Sequence, residues 1–114
     1  MANDCIFCRI KSGEIKSDIV YTDEQCFIIK DIAPKAPVHL LVIPNKHFTY
    51  LTGLTVEENE MIGGMFRAAA ETARKQGIDK TGYRLVINQG ANSGQQVPHL
   101  HLHILAGRQM GMMA

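Results

Sequence analysis

His99-Leu100-His101-Leu102-His103-Ile104-Leu105 decides the reading of this chain. Three of the five histidines among its 114 residues stand here at alternating positions, with aliphatic residues between and after them. A period of two is the period of a β-strand, so one face carries imidazoles and the other a core-forming set. Each imidazole brings two ring nitrogens that need partners, which makes such a row a poor choice for structure alone. The expectation is a strand packed on one side and working on the other.

Spacing limits the chemistry. Along a strand, residues two apart are separated by about 6.6 Å and those four apart by about 13 Å. Zinc holds its nitrogen ligands at about 2.0–2.1 Å, so three histidines in a row do not make a three-histidine hydrolytic site. At most two ligate, which leaves at least one as nucleophile or general acid–base. At a phosphoryl centre the central His101 attacks through one nitrogen while a backbone carbonyl holds its other N–H. Flanking N–H donors and loop amides then neutralise the equatorial oxygens. The sequence has no Walker-type loop and no acidic cluster near the motif. Magnesium is therefore not expected, and a covalent two-step route is.

Immediately upstream lies Gln89-Gly90-Ala91-Asn92-Ser93-Gly94-Gln95-Gln96, a glycine- and amide-rich loop able to turn backbone N–H groups toward an anion. Residues 83–88 before it read as a strand. The nearly continuous apolar run His39-Leu40-Leu41-Val42-Ile43, closed by Pro44, reads as a central strand with His39 at its start and His47 just past its end. Residues 19–21 and 26–30 form a hairpin pattern, with Cys26 as a small buried hydrophobe and Asp31 at the strand end. A carboxylate there serves either a turn or the hydroxyls of a sugar. Thr55-Val56-Glu57-Glu58 has capping-box spacing and opens a helix to about residue 76. Val56, Met61, Ile62, Met65, Ala69 and Ala73 give its apolar face, and Gly77 ends it. Gly63-Gly64 in mid-helix costs about 1 kcal/mol per glycine and suggests close approach by another backbone, such as a second subunit. Near the amino terminus, Cys5-Ile6-Phe7-Cys8 opens a short helical pattern and is open to three readings: a redox pair, half of a zinc site, or chance.

Whole-chain properties bound the rest. A 12.6 kDa chain of 46% apolar and 20% charged residues with formal net charge +1 reads as one ordinary globular domain spanning residues 1–114. It carries no basic run for nucleic acid, no apolar run of the ~20 residues a membrane needs, and no signal-peptide pattern. Three cysteines argue against a disulfide framework, and the cytoplasm is the expected location.

The His99-to-Leu105 stretch matches the His-φ-His-φ-His-φ-φ signature (φ being apolar) of the histidine triad, or HIT, family. Gly94-Gln95-x-Val97, Gly107-Arg108-Gln109-Met110 and Pro34-x-Ala36-Pro37-x-His39 resemble its Hint branch, and the resemblance runs from about Cys5 to Met110. It implies an α+β, HIT-like fold: a five-stranded antiparallel sheet with one long and one short helix, dimerising into a ten-stranded sheet. It also implies hydrolysis of purine nucleoside 5′-phosphoramidates and aminoacyl-adenylates through a nucleotidyl-histidine intermediate.

By the same resemblance, His101 is the nucleophile, His103 a phosphate-binding partner, and His39 a support from the neighbouring strand; His99 completes the triad. Asp31, with Ile32 beside it, matches the ribose-hydroxyl acceptor. Asn88, Gly94 and Gln95 match phosphate and ribose contacts, while Phe7, Ile10 and Ile15 match the wall of a base pocket. Gln96 departs from the pattern, standing where Hint proteins often carry serine and diadenosine-polyphosphate hydrolases threonine. The tail stops at Ala114, so the longer C-terminal segment that shapes leaving-group selectivity in some relatives is not expected. Some bacterial members and related uridylyltransferases pair such a CxxC with two histidines, which here are His47 and His99. With Cys5 and Cys8 they make an S₂N₂ set suited to structural zinc. The rival expectations are a dinucleoside polyphosphate hydrolase or nucleotidyltransferase, and a non-enzymatic module that binds nucleotide or zinc.

Overall fold

A computed structural model describes residues 5–114; residues 1–4, which belong to the stretch read above as lacking a signal peptide, lie outside the described residues. The elements run α1 (Ile6–Lys11), β1 (Ile19–Thr22), β2 (Cys26–Lys30), β3 (Val38–Pro44), α2 (Val56–Lys75), β4 (Arg84–Val86), a 3₁₀ turn (Ala91–Ser93) and β5 (Leu102–Ala106). The strands form one sheet in the order β1-β2-β3-β5-β4, antiparallel throughout. This is the α+β arrangement the sequence implies. Among the described residues no helix is long and apolar enough to cross a membrane.

β3 is central because its apolar run serves both faces. Leu40 and Val42 join Ile28, Leu102 and Ile104 under α2, where Met65, Ala68, Ala69 and Ala73 complete one core. Leu41 and Ile43 join Phe27 and Ile29 on the opposite face, beneath Cys5, Phe7 and Ile10 of the α1 segment. Leu41 pairs with His103 and His39 with Leu105, so by strand alternation the histidines share the α1 face. That face is apolar along β2 and β3 and polar along β5. The site lies where one gives way to the other.

The capping box is in place: Glu58 N–H donates to Thr55 Oγ1 at 3.1 Å and Thr55 N–H to Glu58 Oε1 at 2.9 Å. Glu58 also pairs with Lys46 at 2.8 Å. Gly77 takes φ +75 and ends α2. Val56, the first residue of α2, is exposed rather than part of the buried stripe. Gly64 is buried, and a Cβ there would collide with the side-chain amide of Gln25. The close neighbour is thus a side chain of the same protein and not another backbone, while Gly63 faces open space.

Two strands are shorter than the sequence suggests. β5 begins at Leu102 rather than His99, because Leu100 N–H leaves the ladder and donates to Phe48 O at 2.7 Å. β4 stops at Val86, opposite His103, because the chain before Leu102 offers no further ladder to residues 87 and 88.

Candidate active site

Hydrogen-bond directions around the triad follow from which partners only accept and which only donate. His101 Nδ1 lies 2.7 Å from the carbonyl oxygen of His99. The carbonyl accepts, so Nδ1 carries the hydrogen and Nε2 of His101 keeps a free lone pair. His99 Nε2 likewise donates to Pro44 O at 3.1 Å, which leaves its Nδ1 unprotonated and facing Cys5 Sγ at 3.2 Å. Burial holds His99 neutral, with its pKa pushed down to about 4.

A second chain of bonds starts in the backbone. Lys35 N–H donates to His39 Nδ1 at 3.0 Å, so the His39 hydrogen sits on Nε2. That nitrogen lies 2.9 Å from His103 Nδ1, which therefore accepts. The His103 hydrogen is left on Nε2, a buried atom with no partner among the described residues. Burial, reinforced by the neighbouring His101 and His39, pushes the His103 pKa down to about 4, and burial also lowers that of His39. Both rings are neutral at pH 7. Through these two chains a lone pair on His101 and an N–H on His103 stand side by side, their ring centroids 4.9 Å apart. Phe7 meets the His101 ring edge-on, with the ring centroids 5.0 Å apart.

The rings open into a cleft of about 310 Å³ whose wall includes Asp31, Ala33, Lys35, His39, Val86, Asn88, Gly94, Gln96, His101, His103 and Leu105. Among the described residues Asp31 is the cleft's single carboxylate; Oδ1 accepts from Ala33 N–H at 2.8 Å, and Oδ2 lies 3.5 Å from His39 Nε2. Not every residue matched to nucleotide binding lines this cleft. Ile32 stands beside Asp31 but is 90% exposed. Gln95 turns its amide into the loop, accepting from Gly90 N–H at 2.8 Å and donating to Val97 O at 3.3 Å. Phe7 and Ile10 are buried in the α1-face core, with Ile15 packed against it. The loop also differs from a simple anion nest. The amides of Ser93 and Gly94 close its 3₁₀ turn and that of Gly90 is taken by Gln95, so three backbone donors are spent internally. Leu105 was reachable by extending the histidine alternation one step. Lys35 was not, since its part is played by a backbone N–H that no residue type advertises.

Cys5, Cys8, His47 and His99 converge from α1, the segment after β3 and the approach to β5, with ligand atoms all within 4.8 Å of one another. Cys8 Sγ is 3.3 Å from His47 Nδ1 and 3.7 Å from His99 Nδ1. These separations suit the edges of a tetrahedron with zinc bonds of about 2.3 Å to sulfur and about 2.0 Å to nitrogen. The donor set fits a metal, and the Pro44 carbonyl orients His99 as metal-bound imidazoles are commonly oriented. Asp31, His39 and His103 come equally close together. There the donor directions oppose a cation: both lone pairs that would bind it, at His39 Nε2 and at His103 Nε2, are occupied by hydrogen, while Nδ1 of each ring is already accepting.

The HIT domain profile matches residues 12–110. The chain is 42% identical over 113 residues to the purine nucleoside phosphoramidase of Escherichia coli, covering 99% of this chain and 95% of that one. Among solved structures, a histidine triad protein from Clostridium difficile superposes with a TM-score of 0.91 at 40% identity, covering 97% of this chain and 96% of the other. A HIT family hydrolase from Clostridium thermocellum superposes with a TM-score of 0.90 at 41% identity, covering 96% and 95%. With the histidine motif lining the cleft and these matches over nearly the whole chain, the protein belongs to the HIT domain family.

Proposed function

We propose that this protein is a nucleotide hydrolase that cleaves the P–N bond of purine nucleoside 5′-phosphoramidates, and the mixed anhydride of aminoacyl-adenylates, releasing the nucleoside monophosphate. The observation that carries the reading is the free lone pair of His101 Nε2 together with the N–H left on buried Nε2 of His103, on two neighbouring rings that both line the cleft.

In the first step His101 Nε2 attacks phosphorus. A P–N bond to the imidazole forms as the bond to the leaving group breaks; a departing amine takes a proton from solvent water in the open cleft, and a departing carboxylate takes none. His101 Nδ1–H stays on the His99 carbonyl, so the ring neither turns nor loses its remaining hydrogen. His103 donates to a non-bridging oxygen, where charge builds in the transition state. In the second step water attacks the nucleotidyl-histidine, the imidazole leaves with its electron pair, one hydrogen of the water stays on the monophosphate, and the other returns to solvent as the proton the first step took up. Asp31 takes ribose hydroxyls at the cleft wall, Asn88, Gly94 and Gln96 contact phosphate and ribose there, and exposed Ile32 offers an apolar surface to the purine. Gln95 supports this set by holding the loop.

Cys5, Cys8, His47 and His99 would hold a zinc ion, whose part when bound is structural: it would tie the α1 segment to the approach to β5, which carries His101. The sheet ends at β4, whose outer edge is unpaired in the single chain. We assign that edge to a second copy, which would extend the sheet to ten strands. Free thiols at all three cysteines suit a reducing compartment, the cytoplasm.

The direct test is intact-mass spectrometry of protein quenched in mild base during turnover of an adenosine phosphoramidate, beside His101→Gly. An AMP-sized adduct on the wild type alone, with AMP released, is expected. Binding of nucleotide with neither adduct nor AMP would overturn the hydrolase reading and favour a binding module. Faster turnover of diadenosine polyphosphates would move the substrate class.

A further inference from the structure

The turn joining β2 to β3 carries prolines at 34 and 37, which supply no N–H to any ladder. It is held instead by individual contacts. Asp31 Oδ1 accepts from Ala33 N–H, and the Lys35 ammonium donates to Ala33 O at 2.9 Å. The remaining support comes from beyond the end of β5. Arg108 Nη2 donates to the Lys35 carbonyl at 3.1 Å while Nη1 donates to Gln109 O at 3.1 Å. Next to it, Gly107 at φ +97 lies so close that an added Cβ would stand 2.7 Å from Pro37 Cβ.

Lys35 is the residue whose N–H makes His39 Nδ1 an acceptor. Should that bond be released to water, His39 is free to place its hydrogen on Nδ1. Its Nε2 would then accept from His103 Nδ1–H, and Nε2 of His103 would turn a lone pair toward the cleft. A phosphoryl oxygen would meet repulsion where it now meets a donor. One backbone contact thus decides the sign of the interaction.

We propose that Arg108 is a positioning residue: by holding the Lys35 carbonyl it keeps the Lys35 N–H on His39 and so keeps a hydrogen on Nε2 of His103, a ring that lines the cleft. Its kinetic consequence rests on the phosphoramidase reading, whereas the tautomer state belongs to the free protein. A charge-assisted bond suits this task, being stronger than a bond between neutral groups.

The test uses the full-length protein, uniformly labelled with ¹⁵N, and long-range ¹H–¹⁵N spectra of the imidazoles at pH 7.5. Wild type is expected to show hydrogen on Nε2 of both His39 and His103. Arg108→Met is expected to mix or invert both assignments and leave those of His99 and His101 alone. With an adenosine phosphoramidate, kcat should fall roughly three- to tenfold while KM changes little, the size expected for one hydrogen bond. Arg108→Lys should recover most of both readouts. Gly107→Ala, which presses on Pro37 from the neighbouring position, should give the same spectral change. Unaltered His39 and His103 tautomers in both Arg108→Met and Gly107→Ala would overturn the inference, as would inverted tautomers with wild-type kcat. A wild type inert toward phosphoramidates would sink the substrate reading alone, since the spectra are recorded without substrate.

Discussion

His103 does its proposed work as a neutral ring. Its pKa of about 4 lies below the usual value of 6.5, so between those limits the unfolded chain takes up a proton that the native protein refuses. Stability conferred by this residue is complete above pH 6.5 and is lost as the pH falls toward 4, by on the order of 3 kcal/mol for a shift of this size. Urea denaturation at pH 7, 5.5 and 4.5 should show the decline, and His103→Asn should flatten its slope over that window. An equally steep slope in the variant would place the acid sensitivity elsewhere. The alternation in the sequence put His103 on the working face, because which side a strand residue faces is a local property. It did not say which nitrogen carries the hydrogen. That is settled by Lys35, sixty-eight positions away, through an amide that every residue except proline possesses.

Among the elements, α2 was the most legible, because its start is written in four consecutive residues. Thr55 and Glu58 satisfy each other's backbone groups with no help from elsewhere. Thr55→Ala should therefore cost about 1 kcal/mol in chemical denaturation, while phosphoramidase kinetics stay as in wild type. A cost near zero would mean that Lys46 and Glu58 alone hold the first turn. Strand lengths were less legible. Residues 99–101 have the same alternating pattern as the rest of β5, yet Leu100 bonds to Phe48, a partner from a distant segment. Once β5 starts late, β4 must end early, and neither strand's own sequence records it. Gly64 teaches the same lesson from the helix side: the pair of glycines signalled crowding, but only the fold identifies Gln25 as the neighbour.

At the scale of the whole molecule, the sheet separates two tasks. Its α2 face is core throughout, and its α1 face passes from core to chemistry between β3 and β5. The cysteine–histidine cluster lies at that seam and joins positions 94 residues apart in the chain, Cys5 and His99. Spacing alone left the CxxC motif open, since two of the four ligands come from remote segments. Zinc binding there should add on the order of 3 kcal/mol or more to stability at saturating metal. Elemental analysis should find about one zinc per chain in the wild type and none in Cys8→Ser, whose melting temperature should fall by several degrees. Equal metal content in both would remove zinc from these four residues.

The bonds from Lys35 through His39 to His103 all point one way: each link receives a hydrogen at one end and offers another at the far end. Read as a grammar, position 39 demands a word that accepts on its left and donates on its right. A neutral imidazole is one such word, and the primary amide of glutamine is another; a carboxylate is not, because it accepts at both ends. What the fold prescribes at this position is an orientation rather than a titration. By that rule a glutamine at position 39 of this protein would still let the sentence end on a hydrogen.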